Sequence, residues 1–545
     1  MRAMTMKKAI LHTQLLLASM VAVVLLLTVA AHAAAPGITG TTFNLTAQPA
    51  YLTQPDGEMI YSWGYGCSSA PTGFAPTAIS GATCPTMQVP GPTLIITAPA
   101  SGTATVTVNL TNNLPTAAGD TSILFPGFQV ATSGGVAGLL TQEAAPGGSV
   151  TYTLTIPSTA AGTHSYYSGT QGDLQVEMGL YGAIIVLPST TPTACTSGVH
   201  ASNLTAESFW GEHDFRLAPA AYNHPGACYD REYLFQFSEM DPNIHAQAFA
   251  QVSAKTGCVV TDPTCHLEVP TEPYHPAYFL INGRSMPDDM DPNYATSYPH
   301  QPYNGNPHMH PGELTLLRII GQGRWQHPFH EHGNHVRILA RDGNLILSQT
   351  DPNSLAGPLL FTTTTTPGVA MDGIFYYTAK GLNWDMYGHN PGSNDPAAKL
   401  PCTPDANGYN TGAPTAINYF EWCQDHNKPV QAAPFGDVAA GGPVTLPDPN
   451  LFTNGPWYGG SPYLGPNATL RATGCSAGSA AGSCGSTGTT PPSGTIANSP
   501  GSEAGFAFMW HSHNEREITT NNIFPGGMLM MMLVDSREFP IDESN

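Results

Sequence analysis

The chain has 545 residues, with 17 Lys or Arg against 38 Asp or Glu, a formal net charge of −21 at pH 7. That balance excludes nucleic acid and anionic membrane surfaces as partners, because both repel a strongly acidic body. Only 10% of residues are charged, while 57 Gly and 50 Pro punctuate short apolar runs, so the composition points to an all-β chain of more than one domain.

The first element reads as an export signal. Arg2, Lys7 and Lys8 precede an apolar run from Leu15 to Ala30, and Ala31-His32-Ala33 fits a small-x-small cleavage site. The expectation is a signal peptide over residues 1–33 and a secreted or periplasmic mature protein. An uncleaved anchor is the competing reading. No later stretch is apolar enough to span a bilayer as a helix, so no membrane contact is expected after cleavage.

A first β domain is expected over residues 34–190. Val89-Pro90-Gly91-Pro92 leads through Leu94, Ile95 and Ile96 into a stretch from Ala104 to Asn113 that alternates apolar and Thr/Asn residues. Alternation of this kind marks a half-buried strand. Gly179 to Leu187 reads as a buried closing strand. Residues 191–227 read as a linker, which starts in the Pro/Ala/Ser/Thr-rich stretch from Pro188 to Asn203. The second β domain is expected over residues 228–545, with strands at Glu232–Phe237, Tyr278–Arg284, Gly312–Ile320 and Gly373–Tyr377. An insertion of about 383–505 interrupts it, and its later part, from Asn467, is rich in Gly, Ser, Thr and Ala. Phe506 to Trp510 restarts a strand, and Gly526 to Val534 is the expected last one.

The ten cysteines fall into neighbouring pairs: Cys67/Cys84, Cys195/Cys228, Cys258/Cys265, Cys402/Cys423 and Cys475/Cys484. Sequence alone does not fix connectivity. Five local disulfides in an oxidising compartment are the expectation, since the alternative, a thiolate metal site, would favour C-x-x-C spacing that no pair has.

Two histidine clusters carry the chemistry. One is His327-Pro328-Phe329-His330-Glu331-His332, with His335 close behind; the other is His511-Ser512-His513. Successive side chains on a strand point to opposite faces, so each H-x-H pair puts two imidazoles on one face. Imidazole suits Cu, Zn, Fe and Ni, and two such pairs can surround one ion with four nitrogens. The competing reading is four hydrogen-bonded rings with no metal. His308-Met309-His310 is a further candidate, either a surface copper site or an exposed loop. Met528, Met530, Met531 and Met532 read as a core strand first and a thioether site second.

These motifs resemble the multicopper oxidase family, in which one motif reads H-P-x-H-x-H-G and the last reads H-C-H. The stretches Val89–Asn113 and Gly179–Leu187 resemble its first cupredoxin domain. The order strand, Asn282-Gly283-Arg284, strand, histidine motif resembles its two-domain members. The resemblance implies two cupredoxin-like antiparallel β-sandwich domains. It also implies copper: a blue type 1 site bound by two His, a Cys and a weak axial Met, and a three-copper cluster on four H-x-H pairs. By this resemblance His327 matches a type 1 ligand, and His330, His332, His511 and His513 match cluster ligands. Ser512 stands where the Cys would be, Glu517 where the second type 1 His would be, and Met528 near the axial position. His335 and Glu517 remain additional candidate ligands.

The first domain departs further from the pattern. Thr121-Ser122-Ile123-Leu124-Phe125-Pro126 lies where the family has T-S-I-H-x-H. Tyr167 and Gly169 occupy the second pair, with His164 nearby. The expectation is therefore an exported copper-binding protein of oxidoreductase type. It has a non-standard histidine site, no blue copper, and no laccase-type four-electron reduction of oxygen. Zinc fits four imidazoles nearly as well. The rival class is a non-catalytic cupredoxin scaffold that stores copper or binds a partner. The sequence names neither the substrate, a small molecule or a metal ion, nor a catalytic residue. The resemblance also suggests a homotrimer.

Overall fold

The computed structural model describes residues 34–378, 380, 402–416, 418–423, 460–464, 504–535, 537 and 540–543. The expected signal peptide, most of the insertion and the Cys475/Cys484 pair lie outside the described residues.

Residues 35–187 build one β-sandwich. One sheet orders Met59–Cys67, Thr42–Thr53, Thr103–Asn112, Ser149–Pro157 and Gln129–Gly134. The other orders Gly162–Tyr167, Tyr181–Leu187, Leu94–Thr97, Gly37–Thr39 and Gly73–Ala75. The alternation at Ala104–Asn113 is a strand whose Val106, Val108 and Leu110 are buried while Thr107 and Asn109 between them are not. These residues close on Leu94, Ile96, Ile184 and Val186 of the facing sheet to form the core.

The second sandwich is built the same way. Tyr278–Ile281, Arg231–Met240, Leu314–Gly321, Ala370–Tyr376 and Val336–Arg341 lie side by side in one sheet. His308–Met309, Leu529–Asp535, Ala504–Ser512, His327–Glu331 and Thr362–Thr365 make the other. Its core joins Phe235, Phe237, Leu317 and Phe375 of the first sheet to Phe329, Trp510, Met528 and Met530 of the second. All four sheets are all-β, but they are mixed rather than purely antiparallel. Thr42–Thr53 runs parallel to Thr103–Asn112, and Arg231–Met240 runs parallel to Leu314–Gly321.

The expected linker is not irregular throughout. Gly198–Trp210 forms a helix ended by Gly211 in the left-handed region, at φ 93°. A second helix, Pro242–Ala254, is capped by Asp241, whose side chain accepts from the Asn243 backbone N–H. Four expected disulfides form: Cys67–Cys84, Cys195–Cys228, Cys258–Cys265 and Cys402–Cys423. Among the described residues no helix is long and apolar enough to cross a membrane.

The two sandwiches share a seam. Ala183 and Ile185 of the first pack against Leu234, Ile320 and Ala370 of the second. Beside them Asp372 accepts from Thr163 Oγ1 at 2.6 Å and from the Tyr222 hydroxyl, and Arg318 Nη1 donates to Thr163 Oγ1 at 3.1 Å.

Candidate metal centre

The strand His327–Glu331 pairs antiparallel with Ala504–Ser512, so that Phe329 faces Ser512, His330 faces His511 and Glu331 faces Trp510. Alternation then sorts the side chains. Phe329, Glu331 and Trp510 turn into the core. His330 and His511 turn to the other face, joined by His332 and His513 from the same two segments. The His330 ring centroid lies 4.8 Å from that of His332, 4.7 Å from His513 and 5.6 Å from His511. His332 and His511 are 5.1 Å apart, and their Nε2 atoms approach to 3.2 Å. His330 and His511 are buried, His332 is half-buried and His513 is exposed, so the cluster opens to solvent on one side.

The proton positions follow from the partners. His511 Nδ1 lies 2.7 Å from the Ser512 carbonyl oxygen, which can only accept. Nδ1 therefore carries the hydrogen, and the Nε2 lone pair points at His332. Thr362 Oγ1 holds His330 Nδ1 at 2.7 Å. Burial, and then the charges that His332, His513 and His511 would carry, push the His330 pKa down to about 3; burial lowers that of His511 as well. Both rings are thus neutral at neutral pH, the form that binds a metal. Four imidazoles are a donor set suited to Cu(II) or Zn. The rings pack edge to face, however, and among the described residues no three or more His, Cys, Asp or Glu side chains already surround a common point as ligands. Holding an ion here requires rotation of these rings about their own side-chain torsions.

The remaining candidates go elsewhere. His327 is wholly buried, with Nδ1 2.9 Å from Glu517 Oε2 and Nε2 2.9 Å from Glu239 Oε2. Burial alone would push its pKa down, but the hydrogen bonds to Glu239 and Glu517 outweigh it and raise the value to about 9. Both nitrogens then carry protons, so His327 is an imidazolium without a lone pair and not a ligand in this arrangement. Glu517 is correspondingly occupied: besides His327 it accepts from the Ser512 hydroxyl and from Asn514 Nδ2 at 2.8 Å. An ion-paired triad fills the ground where the resemblance would set a blue copper. Met528 lies fully buried in the apolar core beside Phe329 and Trp510. The His335 ring packs on Phe361 at 5.1 Å.

His308 and His310 are not on a surface loop. His308 Nδ1 lies 2.5 Å from Asp535 Oδ2, and His310 Nε2 lies 2.5 Å from Glu212 Oε1, inside an ionic network with Arg231, Glu313 and Glu543. His164 is buried against Phe128 with Nε2 3.2 Å from the Ala160 carbonyl. In the first sandwich Leu124 and Tyr167 bridge each other, with Leu124 N–H donating to Tyr167 O at 2.7 Å, which holds the two segments in register.

Three residues that shape this region carried no local signal: Glu239, Asn514 and Thr362. Glu239 is 88 positions from His327. Thr362 opens a run of identical residues, in which only the strand pairing of His330 with Thr362 singles it out.

Residues 81–191 match the family model described as multicopper oxidase. No curated protein matches the chain. Among solved structures it is similar to the multicopper oxidase mgLAC, at 15% identity and TM-score 0.42, covering 92% of this chain and 88% of that one. A blue copper oxidase from Nitrosomonas europaea gives 14% identity and TM-score 0.41, over 90% and 85% of the two chains. A copper nitrite reductase from Nitrosomonas europaea gives 16% identity and TM-score 0.35, over 62% and 84%.

Proposed function

With a multicopper oxidase match in its first sandwich as the premise, we propose that this chain is an exported copper protein of oxidoreductase type, whose metal is held in the second sandwich by His330, His332, His511 and His513. The observation that carries the reading is the convergence of four histidine rings, of which His330 and His511 are held neutral, beside a triad with no thiolate. Four disulfides support export, because such bonds persist in oxidising compartments. Bound copper would supply one-electron redox chemistry. The chain's own residues orient the donors: the Ser512 carbonyl fixes the His511 tautomer and Thr362 turns His330. With Ser512 and Glu517 where the resemblance sets a Cys and a His, the copper-loaded protein shows no intense absorption near ~600 nm, the band of a thiolate-bound blue centre. Such a band, measured together with copper content and EPR on purified mature protein, would sink the reading.

One observation favours the scaffold alternative: the rings satisfy one another without a metal, through the His332–His511 contact. Copper that dialysis against a chelator removes completely, with no change in stability, would favour that alternative.

We also propose that any homo-oligomer, a trimer by the resemblance, is metal-independent. Leu124, Pro126, Phe125 and Phe128 of the first sandwich line an open hollow of about 400 Å³, and Leu139 beside it is 92% exposed. Apolar surface of this kind can hold an interface without a bridging ion. Chelation should leave the mass in sedimentation unchanged; an assembly that dissociates on copper removal would show that the first sandwich supplies ligands.

A further inference from the structure

The side chain between the two downstream histidines faces away from them. Ser512 pairs with Phe329 and is fully buried, on the face opposite His511 and His513. It cannot reach an ion held by those rings. Its hydroxyl instead donates to Glu517 Oε2 and accepts from the Asn514 backbone N–H at 3.2 Å. Asn514 Nδ2 donates to the other Glu517 oxygen at 2.8 Å. The turn from His511 to Glu517 is therefore closed on one carboxylate.

That carboxylate is anchored in turn. Glu517 Oε2 holds His327, and His327 holds Glu239. Glu239 Oε1 accepts from the Arg324 and Trp325 backbone N–H groups at 2.7 and 2.8 Å, and the Tyr274 hydroxyl oxygen lies 3.3 Å from it. Tyr274 donates to Glu177 Oε2 of the first sandwich at 2.6 Å. The chain of bonds thus runs from the seam between the sandwiches to the turn that presents His511 and His513.

We infer that Glu517, acting through Ser512, is the positioning residue of the histidine cluster: it locks the His511–His513 turn to the strand that carries His330. This rests on the reading of the cluster as a copper site. Partners outside the first ring of ligands hold the ligands in orientation. Nothing in this role requires Glu517 to touch the metal.

The test uses full-length mature protein in three forms: parent, Ser512→Ala and Ser512→Thr. The alanine variant removes one hydroxyl and keeps the His327 ion pairs, so it should fold. It should bind Cu(II) about 10-fold or more weakly, within the range known for lost outer partners, and with a changed EPR spectrum. The threonine variant, which keeps the hydroxyl, should restore both. Glu517→Gln should reproduce the alanine variant. A folded Ser512→Ala protein with the parent's affinity and spectrum overturns the inference. A parent that binds no copper overturns the reading of the site instead. In that case the metal-free protein still decides the positioning role, because nuclear Overhauser contact between the His332 and His511 rings should weaken in Ser512→Ala. Unchanged contact there overturns it.

Discussion

Replacing His330 and His511 together by Ala abolishes tight copper binding and leaves the chain folded. The two residues face each other across the strand pair and are the most buried members of the cluster. Losing one outer partner typically costs ~10–100-fold in metal affinity, so losing two direct ligands should cost more than that. The fold survives because both side chains lie on the face away from Phe329 and Trp510, whose packing holds the sheet to its sandwich. Copper titration with circular dichroism checks both halves. A double variant that binds copper as the parent does places the metal elsewhere on the chain.

The chain loses stability as pH rises from about 6.5 towards 9. Burial raises the pKa of Glu177, Glu331 and Asp535 to about 8 each, and hydrogen bonds to carboxylates raise that of His327 to about 9. The folded state therefore keeps protons that the unfolded chain has released: the carboxyls above their unfolded values near 4, the histidine above about 6.5. Fewer protons on the unfolded state mean that stability falls with rising pH, and it does so until each folded pKa is passed. His330 and His245, lowered to about 3 and about 4, act in the opposite sense, but only below about 6.5, where the unfolded imidazole gains a proton the folded one refuses. Between 6.5 and 8 the four raised groups act together. Four protons correspond to at most about 5 kcal/mol per pH unit. Thermal unfolding should show a midpoint that drops steadily from pH 6.5 to 8.5. A flat or rising midpoint over that range would mean that these carboxyls are hydrated and titrate normally.

Much of the scaffold was legible because its signals are local. The Thr/apolar alternation at Ala104–Asn113 became a half-buried strand, and the Gly179–Leu187 run became the buried strand Tyr181–Leu187. The spacing of His330, His332, His511 and His513 told which rings share a face, because strand period decides that without knowledge of partners. The site's surroundings were not legible. His327 sits in a motif that reads as a ligand, and Glu239, brought in by a distant strand, together with Glu517 turns it into a buried cation. His308 and His310 sit among Pro and Gly that suggest an exposed loop. Their burial depends on Glu212 and Asp535, each far away in sequence. The helix Pro242–Ala254 is different: Asp241 followed by Pro242 is a local helix-start signal, set in a chain whose composition otherwise points to strands.

The bridge between Leu124 and Tyr167 bears on how such a chain could change over time. The bridge holds the two segments in mutual register, and the space between them is filled. A Cβ added at Gly169 would come within 2.7 to 3.0 Å of three Leu124 side-chain carbons. A side chain at 169 is therefore hard to accommodate until position 124 has first given way. The two positions are thus sterically coupled: a smaller side chain at 124 opens position 169 to substitution, while Leu124 as it stands obstructs it.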